Sequence, residues 1–346
     1  MGSSPTSICI LRLSAIGDVT HMVPVVRTIQ KYWPDTELTW IIGNHEAKLV
    51  GDIPGIEFIK FDKTKGLGSY RSIARQTRHR KFDVLLCAQV SLRANLLSTL
   101  INADLKLGYD RERSKDLHSF FVHHHIKPVP QQHVLDSFFS FIEHIGLPDR
   151  DMRWEYNIPD SSYQFAQEHL EDDRFKVIIS PCSSHPLRNW RAERYAAAAD
   201  HAIRSLDAQV ILCGGRSPTE LQMGQEIEAC MQMKALNLIG KDTLKKFLAL
   251  LQGADVIISP DSGPAHLATG LGTPVIGLYA ASNPKRSGPY FSQQWCVDKY
   301  GAAAQAFKNK SANELKWGAK LEYPGVMDLI TVDEVTSRLD TLVNHQ

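Results

Sequence analysis

The 346-residue sequence contains no C-x-x-C pair among its six cysteines, no apolar run near the ~18 residues of a membrane span, and almost no net charge. The first absence excludes a disulfide frame and a zinc ribbon. Cys9, Cys87 and Cys213 lie inside apolar runs, so the thiols, with Cys182, Cys230 and Cys296, are expected to be reduced and buried in a cytoplasmic protein. The second absence excludes a transmembrane anchor, and M-G-S-S-P-T-S runs into a strand pattern without a leader-like apolar region, so a soluble or peripheral protein is expected. The third, 39 Lys and Arg against 38 Asp and Glu, removes the global field that nucleic acid binding requires. Metal ligands are scarce too. The D-x-D at Asp149 and Asp151 straddles an arginine, and the histidines at 123 to 125 have no carboxylate partners, so both read as solvated surface.

One further absence bears on cofactors. The turn after the first strand reads R-L-S-A-I-G-D-V-T-H-M-V-P at 12 to 24, and only Gly17 stands where a dinucleotide-binding turn needs G-x-G-x-x-G. That disfavours a nicotinamide or flavin enzyme, and no cofactor is expected.

What the sequence does contain is a repeated alternation of short apolar runs and helical patterns. The runs at 7 to 13, 37 to 43, 56 to 61 and 82 to 89 fill the first half, and a helix follows from His133 to Ile145. Gly146 and Pro148 suggest a linker at 145 to 151. A second series follows at 176 to 182, 208 to 215, 254 to 261 and 273 to 280. This alternation signals parallel sheets covered by helices, hence two similar α/β domains at 1–150 and 151–330. Residues 291–326 carry no assignable pattern. Residues 331–346 form a short amphipathic helix with Thr331 or Asp333 as its cap.

The chemistry-bearing residues gather at strand ends. Asp18 follows the first strand, where ligands of open α/β sheets collect. It can take a proton from an acceptor hydroxyl, or it can cap the next helix. At 257 to 268, I-I-S-P-D-S-G-P-A-H-L-A places Asp261, Ser262 and Gly263 at a helix amino end, a bed for a nucleotide diphosphate as well as ordinary capping grammar. At 180 to 190, S-P-C-S-S-H-P-L-R-N-W offers Ser183, Ser184 and Arg188, whose guanidinium can grip phosphate oxygens. Glu220 follows the glycines of I-L-C-G-G and can bond a ribose diol or merely suit a helix start. His266 taken alone reads as packed or surface histidine. Arg12 is a charge in an otherwise apolar strand and needs a partner. Arg93 and the cluster Arg111, Arg113, Lys115 can meet an anionic acceptor, although D-R-E-R-S-K-D alternates in sign as a solvated face does. A nucleotide-binding module without a base, an NAD-linked oxidoreductase and a UDP-sugar transferase are the rival functions.

Taken together, these residues resemble family 9 glycosyltransferases, the bacterial lipopolysaccharide heptosyltransferases. The resemblance covers almost the whole chain. It rests on R-L-S-A-I-G-D-V, H-V-L-D-S-F at 133 to 138, S-S-x-x-x-R-x-W at 183 to 190, N-L-I-G-K-x-x-L at 237 to 244, and P-D-S-G-P-A-H-L-A followed by G-T-P-V-I-G-L-Y. It implies a GT-B α/β architecture: two Rossmann-like domains facing across a cleft, with the C-terminal helix returning to the first domain. It also implies inverting, metal-independent transfer from ADP-L-glycero-D-manno-heptose to a Kdo hydroxyl of Kdo-lipid A, at the cytoplasmic face of the inner membrane. The opening motif, S-P-C-S-S and Y-A-A-S-N-P-K-R-S-G-P-Y resemble heptosyltransferase I members most, with heptosyltransferase II the alternative. Asp18 matches the family's catalytic aspartate. Ser183, Ser184, Asp261, Ser262, Gly263 and His266 match donor-contacting positions, Glu220 the ribose-binding acid, and Lys241 lies in a loop near the nucleotide. Arg188 stands where many members carry lysine, which keeps the charge but changes its geometry.

Overall fold

The computed structural model describes residues 4–345, and its chain divides into two compact units after Asn157. In the first unit β1 (Ser7–Leu11), β2 (Glu37–Gly43), β3 (Ile56–Phe61), β4 (Phe82–Leu86), β5 (Ala103–Gly108) and β6 (His124–His125) form a sheet in the order β3-β2-β1-β4-β5-β6. In the second, β7 (Lys176–Ile179), β8 (Gln209–Leu212), β9 (Leu236–Asn237), β10 (Val256–Pro260), β11 (Val275–Tyr279) and β12 (Val297–Asp298) take the order β12-β11-β10-β7-β8-β9. Every pairing is parallel. Counted from its own first strand, each sheet runs 3-2-1-4-5-6, the Rossmann order. The expected α/β class with two Rossmann-like units is what the chain forms.

Parallel strands covered on both faces must be apolar throughout, and they are: Ile8 to Leu11, Val177 to Ile179 and Val256 to Ile258 are all buried. In the second unit the alanine-rich helix Ala192–Leu206 brings its backbone close to the sheet, burying Ala196, Ala198, Ala199 and Ala202 with Tyr195. Short apolar runs bounded by polar residues mark the central strands well. The edge strands β6, β9 and β12 are two residues each, too brief to carry a period.

Three expectations need correction. The chain does not leave the first unit at 151: Trp154 is buried and its Nε1–H donates to Thr20 O at 2.8 Å, so the boundary falls at Asn157. Asp151 is not solvated surface. It is buried, it accepts from Arg153, and its own N–H donates to Thr28 Oγ1 at 2.8 Å. Among the cysteines Cys230 is exposed, on the outer face of the helix Pro218–Cys230. The C-terminal helix Val332–Val343, capped by Thr331, packs on the second unit's own helix Ala192–Leu206. Its Val335, Leu339 and Leu342 join that unit's core, because the apolar stripe meets an unfilled alanine face.

Leu339 is fully buried, so Leu339→Ala should cost about 2–5 kcal/mol of stability, read as a lowered urea midpoint. A loss below about 1 kcal/mol, the range of an exposed substitution, would mean that this helix is not part of the second core.

Candidate functional site

In the first unit, the order of strands reverses direction between β1 and β4, and the loops leaving these two strands lie at the switch point where α/β sheets bind ligands. The β1 loop runs from Arg12 to Ala15, and the helix Ile16–Tyr32 begins immediately. Gln89, at the end of the β4 run, holds that loop: its Oε1 accepts from Leu13 N at 2.7 Å and Ser14 N at 3.3 Å. From the other side Gly43 N donates to Leu13 O at 2.9 Å, an approach so close that a Cβ on Gly43 would stand 2.3 Å from that oxygen.

Arg12 of this loop and Asp18 of the helix that follows form an ion pair. Arg12 is buried, its Nη1 donates to Ala88 O at 2.6 Å, and its guanidinium lies 5.3 Å from the Phe138 ring centroid. The charge that the sequence left unexplained is thus matched by a carboxylate, a carbonyl and an aromatic face. Asp18 is the third residue of its helix, not the N-cap, and its Oδ2 receives both Arg12 and, at 3.5 Å, Ala15 N. Among the described residues no protein donor reaches Oδ1. One carboxylate oxygen is fixed and the other is available, with the side chain about one-third exposed.

The expected acceptor arginines separate. Arg93 and Arg111 are exposed, as is Lys115. Arg113 is spent internally, pairing with Asp110, donating to Gln132 and reaching Lys127 O at 3.0 Å. It braces the loop, so its charge is not free as the sequence suggested.

The second unit repeats the arrangement with different chemistry. At the switch point between β7 and β10 the loops carry Ser183 to Arg188 on one side and Asp261 to Gly263 on the other. Ser262 is the N-cap of the helix Gly263–Leu271, yet its hydroxyl bonds Ser259 Oγ at 2.8 Å and leaves the helix amino end without a side-chain cap. Asp261 is buried beside it. Lys320 Nζ donates to Asp261 Oδ2 at 2.5 Å, His266 Nε2 stands 3.9 Å from Oδ1, and Arg188 Nη1 4.0 Å from Oδ2. Burial opposes the Asp261 charge, but Lys320 and His266 more than offset it and hold the carboxyl below its ordinary range. Arg188 in turn places Nε and Nη2 on Glu322 Oε1, at 2.8 and 2.7 Å.

Ser183 is taken up locally, its N–H donating to Asn189 Oδ1 at 2.7 Å, while Ser184 is exposed. Trp190 of the same motif is an anchor, donating from Nε1 to Ile330 O at 3.0 Å. Glu220 completes a capping box with Ser217 and accepts from Gly215 N at 2.7 Å. The helix-start role is realised there. Lys241 is exposed and donates to Asn237 O at 2.7 Å. Gln89, Asp242, Lys320 and Glu322 escaped the sequence reading. Gln89 was detectable as the one polar side chain ending an apolar strand, whereas Lys320 and Glu322 sit in the patternless 291–326 segment.

The sequence 70–317 matches glycosyltransferase family 9 (heptosyltransferase). The lipopolysaccharide core heptosyltransferase OpsX of Haemophilus influenzae is 40% identical, with 98% of this chain and 97% of that protein covered. Lipopolysaccharide heptosyltransferase 1 of Escherichia coli K12 is 23% identical over 83% of this chain and 92% of that one. Among solved structures, a family 9 glycosyl transferase from Veillonella parvula superimposes with a TM-score of 0.79 at 24% identity, covering 99% and 98% of the two chains. The E. coli heptosyltransferase WaaC with ADP gives 0.74 at 18%, covering 97% and 99%.

Asp242, in the loop before the helix Leu244–Gln252, is pushed up to about 7 by burial and by Glu220, against Arg216 and Lys246. A carboxyl raised on folding binds more protons in the native than in the unfolded state. Stability from this group is therefore full below about 4, the unfolded value, and is lost as pH rises through about 7. Asp242→Asn should be more stable than the parent at pH 8 and should flatten the stability profile between those two values. Equal melting temperatures at pH 8 would overturn the raised carboxyl of half-buried Asp242.

Proposed function

The chain belongs to glycosyltransferase family 9 and is a glycosyltransferase, and on that premise we propose that it transfers L-glycero-D-manno-heptose from ADP-heptose to a Kdo hydroxyl of the lipopolysaccharide inner core. The observation that carries this reading is the pairing of two switch-point sites: one has a half-free carboxylate, the other an uncapped helix amino end flanked by cations. Lipopolysaccharide heptosyl transfer is supported by OpsX, 40% identical along nearly the full length of both chains. The heptosyltransferase I type, with phosphorylated Kdo-lipid A as acceptor, is the finer part of the proposal.

In this mechanism Asp18 Oδ1 takes the proton of the acceptor hydroxyl while that oxygen attacks the anomeric carbon. The glycosyl C–O bond to the diphosphate breaks on the opposite face, ADP departs with the bonding pair, and the configuration inverts. Arg12 holds the other carboxylate oxygen and so directs Oδ1. The leaving group gains charge as the bond breaks, and Arg188 with the amide N–H groups at Gly263 and Ala265 meets that charge; Ser183, Ser184, Glu220, Lys241, Ser262 and His266 border the donor. These groups can serve the diphosphate without a divalent ion.

The acceptor is an anionic glycolipid, and exposed Arg93, Arg111 and Lys115 are proposed to meet its charges. The segment holding Arg111 and Lys115 also exposes Leu117 and Phe120, which suits peripheral contact with the cytoplasmic face of the inner membrane. No helix among the described residues is long and apolar enough to cross a membrane.

Asp18→Asn tests the base, because Asn keeps the size and can still accept the Arg12 hydrogen bond but cannot take the proton. Turnover with ADP-heptose and a Kdo acceptor should fall roughly 10²- to 10⁴-fold, with ADP affinity and melting temperature near those of the parent. Retention of more than about a tenth of the rate, outside the general-base range, removes Asp18 from the chemical step. Turnover should also persist in excess EDTA; abolition restored by magnesium or manganese would replace the metal-free mechanism. Transfer only to an already heptosylated core would make the enzyme a heptosyltransferase II.

A further inference from the structure

The second unit's site contains more positive charge than its sequence motifs account for. Lys320 is one residue past Ala319, whose carbonyl accepts from Tyr300 Oη at 3.0 Å, and one before buried Leu321, whose N–H donates to Ala281 O at 2.7 Å. Those two bonds pin the backbone on either side, and Lys320 reaches Asp261 from a fixed base. Its ammonium is partly exposed and spends one N–H on Asp261 Oδ2; among the described residues no other protein acceptor takes the remaining two. Arg188 and Arg286 both repel it, so the three cations share one region, and Gly318 lies against the Arg286 guanidinium. Two carboxylates, Asp261 and Glu322, answer them, each already paired. Arg286 has no carboxylate partner among the described residues. The cluster is short of negative charge, and it borders the uncapped amino end at Gly263.

We propose that Lys320 is a direct ligand of the donor's diphosphate and that Glu322 is the positioning residue that holds Arg188 for the same anion. This rests on the reading of the second unit as the nucleotide-sugar site. Glu322 occupies two donors of the Arg188 fork, Nε and Nη2, with one oxygen. Nη1 stays 4.0 Å from Asp261, and its two N–H groups with the second N–H of Nη2 are left to reach a phosphate oxygen. Lys320 keeps Asp261 neutralised with one N–H and offers the others to the diphosphate. A phosphate oxygen brought to this spot would otherwise face the buried Asp261 carboxylate, and a like charge there would repel it. The lysine therefore both removes a repulsion and adds an attraction.

The test is calorimetric titration of the full chain with ADP and with adenosine. Lys320→Met should weaken ADP about tenfold, the loss of one charged hydrogen-bonded contact, with adenosine affinity unchanged and Lys320→Arg restoring most of the loss. Since Lys320→Met strands a buried carboxylate and can unfold the loop, the double variant Asp261→Asn with Lys320→Met is measured beside it. If Lys320 grips phosphate, ADP stays weak in the double variant. If Lys320 only silences Asp261, ADP affinity returns to the parental value, and the proposal is overturned. Parental ADP affinity in Lys320→Met overturns it too. Arg188→Ala is the control for the underlying reading: ADP weakened there but not in Lys320→Met leaves the nucleotide site standing and rejects Lys320 alone, whereas ADP unchanged in both rejects the site. Glu322→Gln keeps shape but loses charge, and a positioning role predicts weaker ADP in it; tighter ADP would make Glu322 a competitor and overturn its part.

Discussion

A parallel sheet can turn both central strands' carboxyl ends toward the same open place only where its crossovers leave in opposite directions, and this constraint governs both halves of the chain. In the order 3-2-1-4-5-6 that place lies between the first and fourth strand of each unit. The segments that follow β1 and β4 supply Arg12, Asp18 and Gln89; those that follow β7 and β10 supply Arg188 and Asp261. The strands must be apolar to be buried on both faces. Polar chemistry is thus pushed to their ends, where the backbone turns out of the sheet and helix amino ends begin.

That constraint also explains what sequence could reveal. Eight of the nine longer strands were legible because a buried parallel strand is a short apolar string with polar ends, whereas β5, interrupted by Asp104 and Lys106 and only partly buried, was not. The motif residues were legible because they follow those strings directly: Asp18 stands seven positions after Leu11, and Asp261 immediately follows Pro260. Lys320 and Glu322 were not, since they come from a segment whose turns and short 3₁₀ stretches have no periodicity, and their place beside Asp261 is set by tertiary bonds such as Leu321 N to Ala281 O. The terminal helix shows a different limit. Its amphipathic stripe announced that it must bury one face but carried no information about which face would receive it. The alanines of Ala192–Leu206 decided that.

Residue roles were legible more coarsely than residue positions. Glu220 and Ser262 both stand at helix starts with side chains suited to capping, yet Glu220 closes its box and Ser262 turns away to Ser259. The difference lies in what each neighbour offers. Ser217 presents a hydroxyl and an N–H to Glu220, while the buried Ser259 hydroxyl donates to Ser180 O at 3.1 Å and meets the Ser262 hydroxyl at 2.8 Å. The Ser262 hydroxyl is thus turned toward the strand before it, and the helix amino end stays open. Arg12 and Arg113 make the same point for charge: both are arginines near an anion-binding region, and both are held by a neighbouring aspartate, Asp18 and Asp110. Only in the first does the carboxylate keep an oxygen free.

The two units, built on one topology, therefore differ in the sign of what they leave over. In the first, a buried arginine fixes one oxygen of a carboxylate and the remaining oxygen has no protein donor among the described residues. In the second, buried and half-buried carboxylates fix cations, and the remaining N–H groups are anion donors. Each arrangement needs the opposite charge as its support, because an isolated ion at a partly buried strand end would be too costly to hold. The reaction we propose, which removes a proton from one substrate while a diphosphate leaves the other, calls for these two surpluses, a free acceptor lone pair and free donors. Supplying them from separate sheets lets each site be neutralised internally before either substrate arrives.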